Sequence, residues 1–186
     1  MPRITESKIL ILATHGFEQS ELEVPRDKLR DAGATVHVAS LDGKAIKGWD
    51  GDDWGREADV DLSLEDVSVG DYDALVLPGG QINPDLLRVE KTAIDVITAF
   101  HDQGKTLAAI CHAPWLLVEA GVLKSRDATS YPSIKTDVIN AGAHWSDVEV
   151  IADKGIVTSR NPGDLDAFVG KIIEEIEEGT HTRAAA

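Results

Sequence analysis

The sequence predicts an α/β domain of three layers, in which helices cover both faces of a mainly parallel central sheet. Three observations support this fold class. Short apolar segments such as KILILAT (8–14) and YDALVLPGG (72–80) are typical of strands buried on both faces. Segments with helical spacing of apolar residues alternate with them, and glycines punctuate the ends. A length of 186 residues fits one unit, so we expect residues 1–186 to form a single domain whose segment 178–186 is a frayed tail.

The first half of the chain predicts a β-α-β unit followed by an irregular excursion. The first strand leads into a helix over 18–33 that Pro25 kinks or begins, and the next strand covers 35–40. Segment 44–68 is rich in glycine and aspartate and shows short alternating pieces, which predict a hairpin at a sheet edge.

The second half repeats the alternation of strand and helix. The strand that ends at Gly80 precedes a helix from Pro84 to Gln103, with Leu86 among its inward-facing residues. The later elements are a strand over 105–110, a helix over 112–121, a short helix over 133–142, two strands around a turn at 154–155 and an amphipathic helix over 163–179.

Composition and charge exclude several classes of function. The formal net charge of -15 would repel phosphate backbones and anionic membrane surfaces, so we expect no nucleic-acid or membrane partner. The apolar runs are too short for a signal or membrane segment, which favours a cytoplasmic location. A single cysteine excludes an internal disulfide and a cysteine-rich metal site. The scattered histidines lack the close spacing of a ligand pair, so we expect no metal and no cofactor.

The single cysteine, Cys111, stands where a buried strand meets a helix in KTLAAICHAPW (105–115). A residue at such a turn projects from the carboxyl end of the sheet and faces free N–H groups of the helix, which lowers a thiol pKa. The alternative is a buried, inert thiol, because free cysteines are among the most buried residues. His112 is a candidate base, although adjacent residues of a regular helix do not face one another. Only a strained turn would let His112 serve Cys111.

Two further strand ends point to the same edge of the sheet. Glu18 follows the first strand and would donate a hydrogen bond to sulfur if partial burial kept it protonated; a solvated helix-start acid is the alternative. Gly79 and Gly80, with the N–H of His112, would form an oxyanion hole, or else a simple turn. Trp115, one turn into the helix, would line the pocket.

Taken together, five segments resemble the PfpI-type intracellular proteases of the ThiJ/PfpI superfamily, in order and over most of the chain. The resemblance implies a flavodoxin-like sandwich with a nucleophile elbow, a reactive cysteine at Cys111, and a protonated glutamate at Glu18 that contacts its sulfur. It also implies that His112 works with an acid from a neighbouring subunit, for which Asp85 is the candidate, although aspartate and its spacing depart from the family pattern. The segments are ATHGFEQSELEVP, DALVLPGG, AAICHAPWLLVEAGVL, TSYPSIKTDVINAGAHW and VTSRNPGDLDAF.

These observations predict a stress-associated, cytoplasmic cysteine enzyme that attacks a carbonyl through a thiolate. It would be a peptidase or hydrolase, or would act as a glyoxalase III or deglycase, on small carbonyl compounds or peptides. A homo-oligomer, a dimer or larger, is expected. The alternative is a redox sensor whose cysteine is oxidised without turnover. A class I glutamine amidotransferase ranks last, because no downstream His-x-Glu pair is present.

Overall fold

The chain alternates strands and helices in the computed structural model, which describes residues 2–183. The strands are β1 (Lys8–Leu12), β2 (Phe17–Glu18), β3 (Thr35–Ser40), β4 (Ile46–Asp50), β5 (Asp53–Ala58), β6 (Leu62–Ser63), β7 (Ala74–Leu77), β8 (Thr106–Ile110), β9 (Asp127–Ala128), β10 (His144–Trp145), β11 (Val150–Asp153) and β12 (Ile156–Ser159). The α-helices are α1 (Gln19–Asp31), α2 (Ile82–Leu87), α3 (Lys91–Asp102), α4 (Pro114–Glu119), α5 (Lys135–Asn140) and α6 (Leu165–Glu178).

A seven-stranded sheet in the order β11-β12-β8-β7-β1-β3-β6 forms the centre of the fold. Every neighbouring pair is parallel except β11 with β12. The central strands β7 and β8 are buried along their whole length because both faces of the sheet are covered. The predicted three-layer, mainly parallel sandwich is therefore confirmed.

The two faces of the sheet carry separate apolar clusters. On one face, Leu22 and Leu29 of α1 pack with Phe168 and Ile172 of α6. On the other, Phe100 of α3 packs with α4 and the loops that follow it. No helix within residues 2–183 combines the length and the apolar character needed to cross a bilayer.

The helix expected between Pro84 and Gln103 is two helices, α2 and α3. The chain turns between them, where the amide of Glu90 donates to the carbonyl of Leu87 and Glu90 takes an extended conformation. This turn buries Leu87 while Leu86, expected to face inward, is 45% exposed. In α1, by contrast, the helix continues through Pro25 without ending.

The excursion after β3 forms a hairpin beside the carboxyl end of the sheet. Strands β4 and β5 pair antiparallel, and β2 joins them in a separate three-stranded sheet. The pairing of β2 with β4 places Glu18 opposite Trp49. Strand β6 returns to the edge of the main sheet beside β3. The excursion thus supplies one wall of the space above the sheet.

The tail predicted to fray from residue 178 is held in place as far as Arg183. The amide of His181 donates to the carbonyl of Gly104 at 2.8 Å. The guanidinium of Arg183 donates to the carbonyls of Lys154, His101 and Lys105 at 2.7–2.9 Å. The expectation of fraying is wrong for this part, because these bonds offset the entropy of ordering it; residues 184–186 lie outside the described residues.

We predict that Arg183→Ala lowers the free energy of unfolding by about 1–3 kcal/mol, because three carbonyls lose a charged donor. Urea unfolding followed by circular dichroism measures the change. Lys44→Ala is the matched control, since among residues 2–183 its ammonium group pairs with exposed Asp42 alone, and it should change stability by no more than about 0.5 kcal/mol. Equal stability of Arg183→Ala and wild type would show that the tail is not anchored by this side chain.

Candidate active site

Cys111 lies at a sharp bend between β8 and α4. Its φ of 64° is in the left-handed region, which is unfavourable for a residue with a Cβ. Two hydrogen bonds fix the bend: the Cys111 amide donates to the Ser159 carbonyl at 3.0 Å, and the Tyr131 amide donates to the Cys111 carbonyl at 2.8 Å. The side chain therefore projects from the carboxyl end of the sheet.

The bend brings His112 against the sulfur of the preceding residue. Nδ1 of His112 lies 3.1 Å from Sγ of Cys111, and Nε2 lies 3.1 Å from Oγ of Ser133. The Tyr131 ring stacks on the imidazole with centroids 4.6 Å apart, and the Trp115 ring meets it edge-on. Burial lowers the pKa of His112, so the imidazole is neutral at neutral pH and able to accept a proton.

The acid beside the sulfur is Glu21, not the predicted Glu18. Glu21 is fully buried, and its Oε2 accepts a hydrogen bond from the Gly79 amide at 2.8 Å. Its Oε1 has no hydrogen bond of normal geometry among residues 2–183, although the carboxyl group interacts closely with the thiol. Glu18 precedes the first turn of α1 in an extended conformation and faces the hairpin. One helical turn later, Glu21 points at the sheet edge.

A spacing signal in the sequence could have identified Glu21. Glu21, Pro25 and Leu29 stand four residues apart and share one face of α1, and all three are buried. An acid in line with the apolar face of a helix is unusual, and burial without a charged partner predicts a perturbed carboxyl. Glu18 precedes the first helical residue, so this spacing does not place it.

Burial controls the ionisation of Cys111 and Glu21. It raises the pKa of Glu21 to about 8, so the carboxyl group is largely protonated at neutral pH. Burial, followed by the charge of Glu21, also raises the pKa of the Cys111 thiol, against the amides of Gly80 and His112. The predicted lowering of the thiol pKa is therefore wrong in direction: the helix-start amides do not outweigh desolvation. At neutral pH both groups hold their protons, and because they interact, ionisation of one disfavours ionisation of the other.

The glycine pair after β7 has two different roles. The Gly79 amide is bonded to Glu21 and does not face the site, which corrects its expected place in an oxyanion hole. A Cβ on Gly79 would lie 2.5 Å from Oε2 of Glu21 and 2.6 Å from Cβ of Cys111, so only glycine permits this approach. The amides of Gly80 and His112 do face the sulfur.

The side chain of Cys111 lines a cavity of about 380 Å³ beneath the hairpin. Trp49 and Tyr131 supply aromatic walls, and Glu18 and Glu21 supply acidic groups. Burial, followed by the charge of Asp50, raises the pKa of Glu18. The described lining includes no lysine or arginine, so it offers no cationic side chain to an anion.

Two further predicted residues lie away from this lining. Trp115 is half-buried against His112, and its Nε1 donates to Asp137 at 2.8 Å; it supports the base rather than lining the cavity. Asp85 is exposed on α2, and no hydrogen bond joins it to His112 within residues 2–183. Its action across a subunit interface stays a prediction.

A group with metal-ligand geometry occurs elsewhere in the described chain. Ligand atoms of Glu175, Glu178 and His181 lie within 4.8 Å of one another near the end of α6. These residues do not line the cavity of Cys111.

Comparison with known proteins identifies the family. The sequence model described as the DJ-1/PfpI family matches residues 7–175. The chain belongs to the DJ-1/PfpI family. The predicted resemblance to PfpI-type proteins of the ThiJ/PfpI superfamily is confirmed.

Similar proteins span nearly the whole chain. Deglycase PfpI of Pyrococcus furiosus is 41% identical, over 90% of this chain and 98% of its own. The putative cysteine protease YraA of Bacillus subtilis is 41% identical, over 87% of this chain and 93% of its own. The crystal structure of Drosophila melanogaster DJ-1beta superposes with a TM-score of 0.83 at 32% identity, covering 92% of this chain and 94% of that one.

We predict that Glu21 makes stability depend on pH. Its folded-state pKa is raised to about 8, so its contribution is complete below its ordinary value and is lost as pH rises through 8. The free energy of unfolding of wild type should fall by a few kcal/mol, on the order of 2–4, between pH 5 and 8.5. Glu21→Gln keeps a neutral side chain and should show a flatter profile.

Glu18→Gln is the matched control, because this half-exposed acid lies three residues away in the same cavity. It should retain most of the wild-type decline. Urea unfolding at several pH values measures all three proteins. A decline in Glu21→Gln as steep as that of wild type would contradict a buried, protonated Glu21.

Proposed function

We propose that this protein is a cysteine-dependent enzyme that acts on carbonyl-modified substrates as a deglycase, with Cys111 as nucleophile. The observation that carries the proposal is the 3.1 Å contact between the Cys111 sulfur and Nδ1 of a neutral His112, at the base of an open cavity. The deglycase name of a relative that is 41% identical over 98% of its length supports it.

The first step is a proton transfer followed by addition. Nδ1 of His112 takes the proton from Sγ as the sulfur forms a bond to the carbonyl carbon, and the π electrons of the carbonyl move to oxygen. The oxygen then takes the proton from the imidazolium, which gives a hemithioacetal and restores neutral His112. Protonated Glu21 donates a hydrogen bond toward sulfur and stabilises the transient negative charge. This step does not require the Cys111 thiol or His112 to be charged before the substrate binds.

For a dicarbonyl such as methylglyoxal, the adduct can be converted to product without an external oxidant. A proton moves from the carbon that bears sulfur to the adjacent carbonyl carbon, and the hydroxyl proton moves to the oxygen of that carbonyl, which gives a lactoyl thioester. Water then releases lactate and the free thiol. For a hemiaminal of the same dicarbonyl, the carbon–sulfur bond forms as the carbon–nitrogen bond breaks, the amine leaves with the thiol proton, and the same hemithioacetal and thioester follow. Glu18 and His112 both line the cavity and are the candidates for moving the carbon-bound proton.

The cavity favours small neutral or cationic substrates. Its volume of about 380 Å³ lies at the lower end of the usual range for small-molecule sites. The described lining has no lysine or arginine that would bind a phosphate or a carboxylate, whereas the Glu18 carboxyl group can accept a hydrogen bond from a donor on the substrate. An arginine or lysine side chain modified by a dicarbonyl is neutral or cationic and suits such a lining.

A redox sensor is the second candidate, because a protonated carboxyl group beside the sulfur would stabilise an oxidised form. One peroxide converts the thiol to sulfenic acid and water, and a second gives sulfinic acid. Intact-mass measurement after mild peroxide treatment tests this. A gain of two oxygens that Glu21→Gln prevents, without turnover of any carbonyl substrate, would favour sensing over catalysis.

Cytoplasmic location and homo-oligomeric assembly stay predictions from the sequence. We propose both for the enzyme. Size-exclusion chromatography with light scattering tests the second.

We predict that Cys111→Ala abolishes turnover of methylglyoxal and release of arginine from its methylglyoxal adduct. His112→Ala should lower kcat by about 10²- to 10⁴-fold, the usual effect of removing a general base. Lactate formation and released arginine are measured for each variant, with a fluorogenic peptide tested in parallel for peptidase activity.

Ser68→Ala is the control, because Ser68 is exposed at the opposite end of the sheet, before β7. It should match wild type. If Cys111→Ala turned over these substrates as fast as wild type, the thiol would have no part in the reaction. Cleavage of the peptide alone would identify a peptidase instead of a deglycase.

A further inference from the structure

We propose that Ser133 is the positioning residue of His112, so that the thiol, its base and the group that orients the base all lie within one chain. The inference rests on the proposed function for its catalytic meaning. Its physical content, the orientation of the imidazole by a serine hydroxyl, is independent of the substrate.

The two ring nitrogens of His112 have different partners. Nδ1 lies 3.1 Å from the Cys111 sulfur and Nε2 lies 3.1 Å from the Ser133 hydroxyl. A neutral imidazole has one N–H group, so Nδ1 can accept the thiol proton only if the N–H is on Nε2. The Ser133 hydroxyl accepts that hydrogen bond through a lone pair. Ser133 therefore stabilises the tautomer that the reaction requires.

The loop that carries Ser133 is tied to the elbow. The amide of Tyr131 donates to the Cys111 carbonyl at 2.8 Å, and the amide of Ile134 donates to the Tyr131 carbonyl at 3.1 Å. Ile134 is buried in the core, and the Tyr131 ring stacks on the imidazole with an interplanar angle of 24°. Two backbone hydrogen bonds thus fix the position of Ser133 relative to Cys111.

A hydroxyl at this position differs chemically from a carboxylate. A carboxylate at Nε2 would favour the charged imidazolium and raise its pKa, whereas burial lowers the pKa of His112 in this chain. A neutral acceptor fixes the ring and leaves it free to take a proton. Within the described chain the group at Nε2 is the Ser133 hydroxyl, and Asp85 is exposed on α2.

The test measures alkylation of Cys111, the only cysteine in the sequence, by iodoacetamide between pH 6 and 10. Ser133→Thr keeps the hydroxyl, and Ser133→Val is its near-isostere without one. We expect Ser133→Val to react about 3- to 10-fold more slowly than wild type near pH 7, as expected for loss of one hydrogen bond. Ser133→Thr should retain at least half of the wild-type rate, and the three rates should converge at high pH, where hydroxide replaces the base.

Ser133 is exposed, so both variants should fold, and thermal melting checks this. Ser68→Ala is the control for removing a serine hydroxyl far from Cys111, and it should react at the wild-type rate. Alkylation of Ser133→Val at the wild-type rate at every pH would overturn the proposal. So would a change of equal size in Ser133→Thr and Ser133→Val, because that would report loop packing and not the hydroxyl.

Turnover of methylglyoxal separates this inference from the proposed function. In an active enzyme, Ser133→Val should lower kcat with little change in KM, and activity per chain should not change on dilution. A larger loss in Asp85→Asn than in Ser133→Val, together with loss of activity on dilution, would overturn the proposal in favour of an acid from a second copy. If wild type does not turn over methylglyoxal, the proposed substrate is wrong, while the alkylation rates still decide the role of Ser133.

Discussion

The left-handed backbone of Cys111 is the constraint on which the rest of the site depends. In a regular helix, the side chains of adjacent residues diverge, and sulfur and imidazole could not meet. At φ 64° they lie 3.1 Å apart. Such a conformation costs about 1–3 kcal/mol, and it persists only where the surroundings fix it. Here β12 and the loop after β9 each supply a backbone hydrogen bond to Cys111, while the buried strand β8 fixes the chain before it.

The site combines several titratable groups and carries little charge at rest. The thiol, the imidazole and the Glu21 carboxyl group are all buried. Burial shifts the pKa of each group in the direction that favours its neutral form. The mechanism proposed above therefore does not rely on a pre-formed thiolate. In that proposal, proton transfer from sulfur to His112 accompanies attack, when substrate has displaced water and Glu21 can donate to the developing charge. The charge would then form where the amides of Gly80 and His112 can stabilise it.

Sequence reasoning located the fold and the elbow because both depend on local patterns. Wholly apolar strands indicate a parallel sheet, and a strand that ends at Cys111 before a helix indicates where its side chain emerges. The errors concern long-range contacts or desolvation. Glu18 follows the first strand, but the pairing of β2 with β4 directs it to the hairpin and leaves Glu21 at the sulfur. The anchoring of Arg183 depends on carbonyls from three distant loops.

The thiol pKa shows why such a site is difficult to derive from residue order. The helix-start amides that favour ionisation are visible in the sequence, whereas burial of Cys111 to 6% exposure results from packing that no local segment determines. The same packing bears on the proposed base. The His112 imidazole is buried, stacked on Tyr131 and in contact with the Ser133 hydroxyl, so it is neutral and held in one orientation. In the proposed mechanism, burial thus suppresses spontaneous ionisation of the thiol and also keeps His112 able to take the thiol proton when a carbonyl is bound.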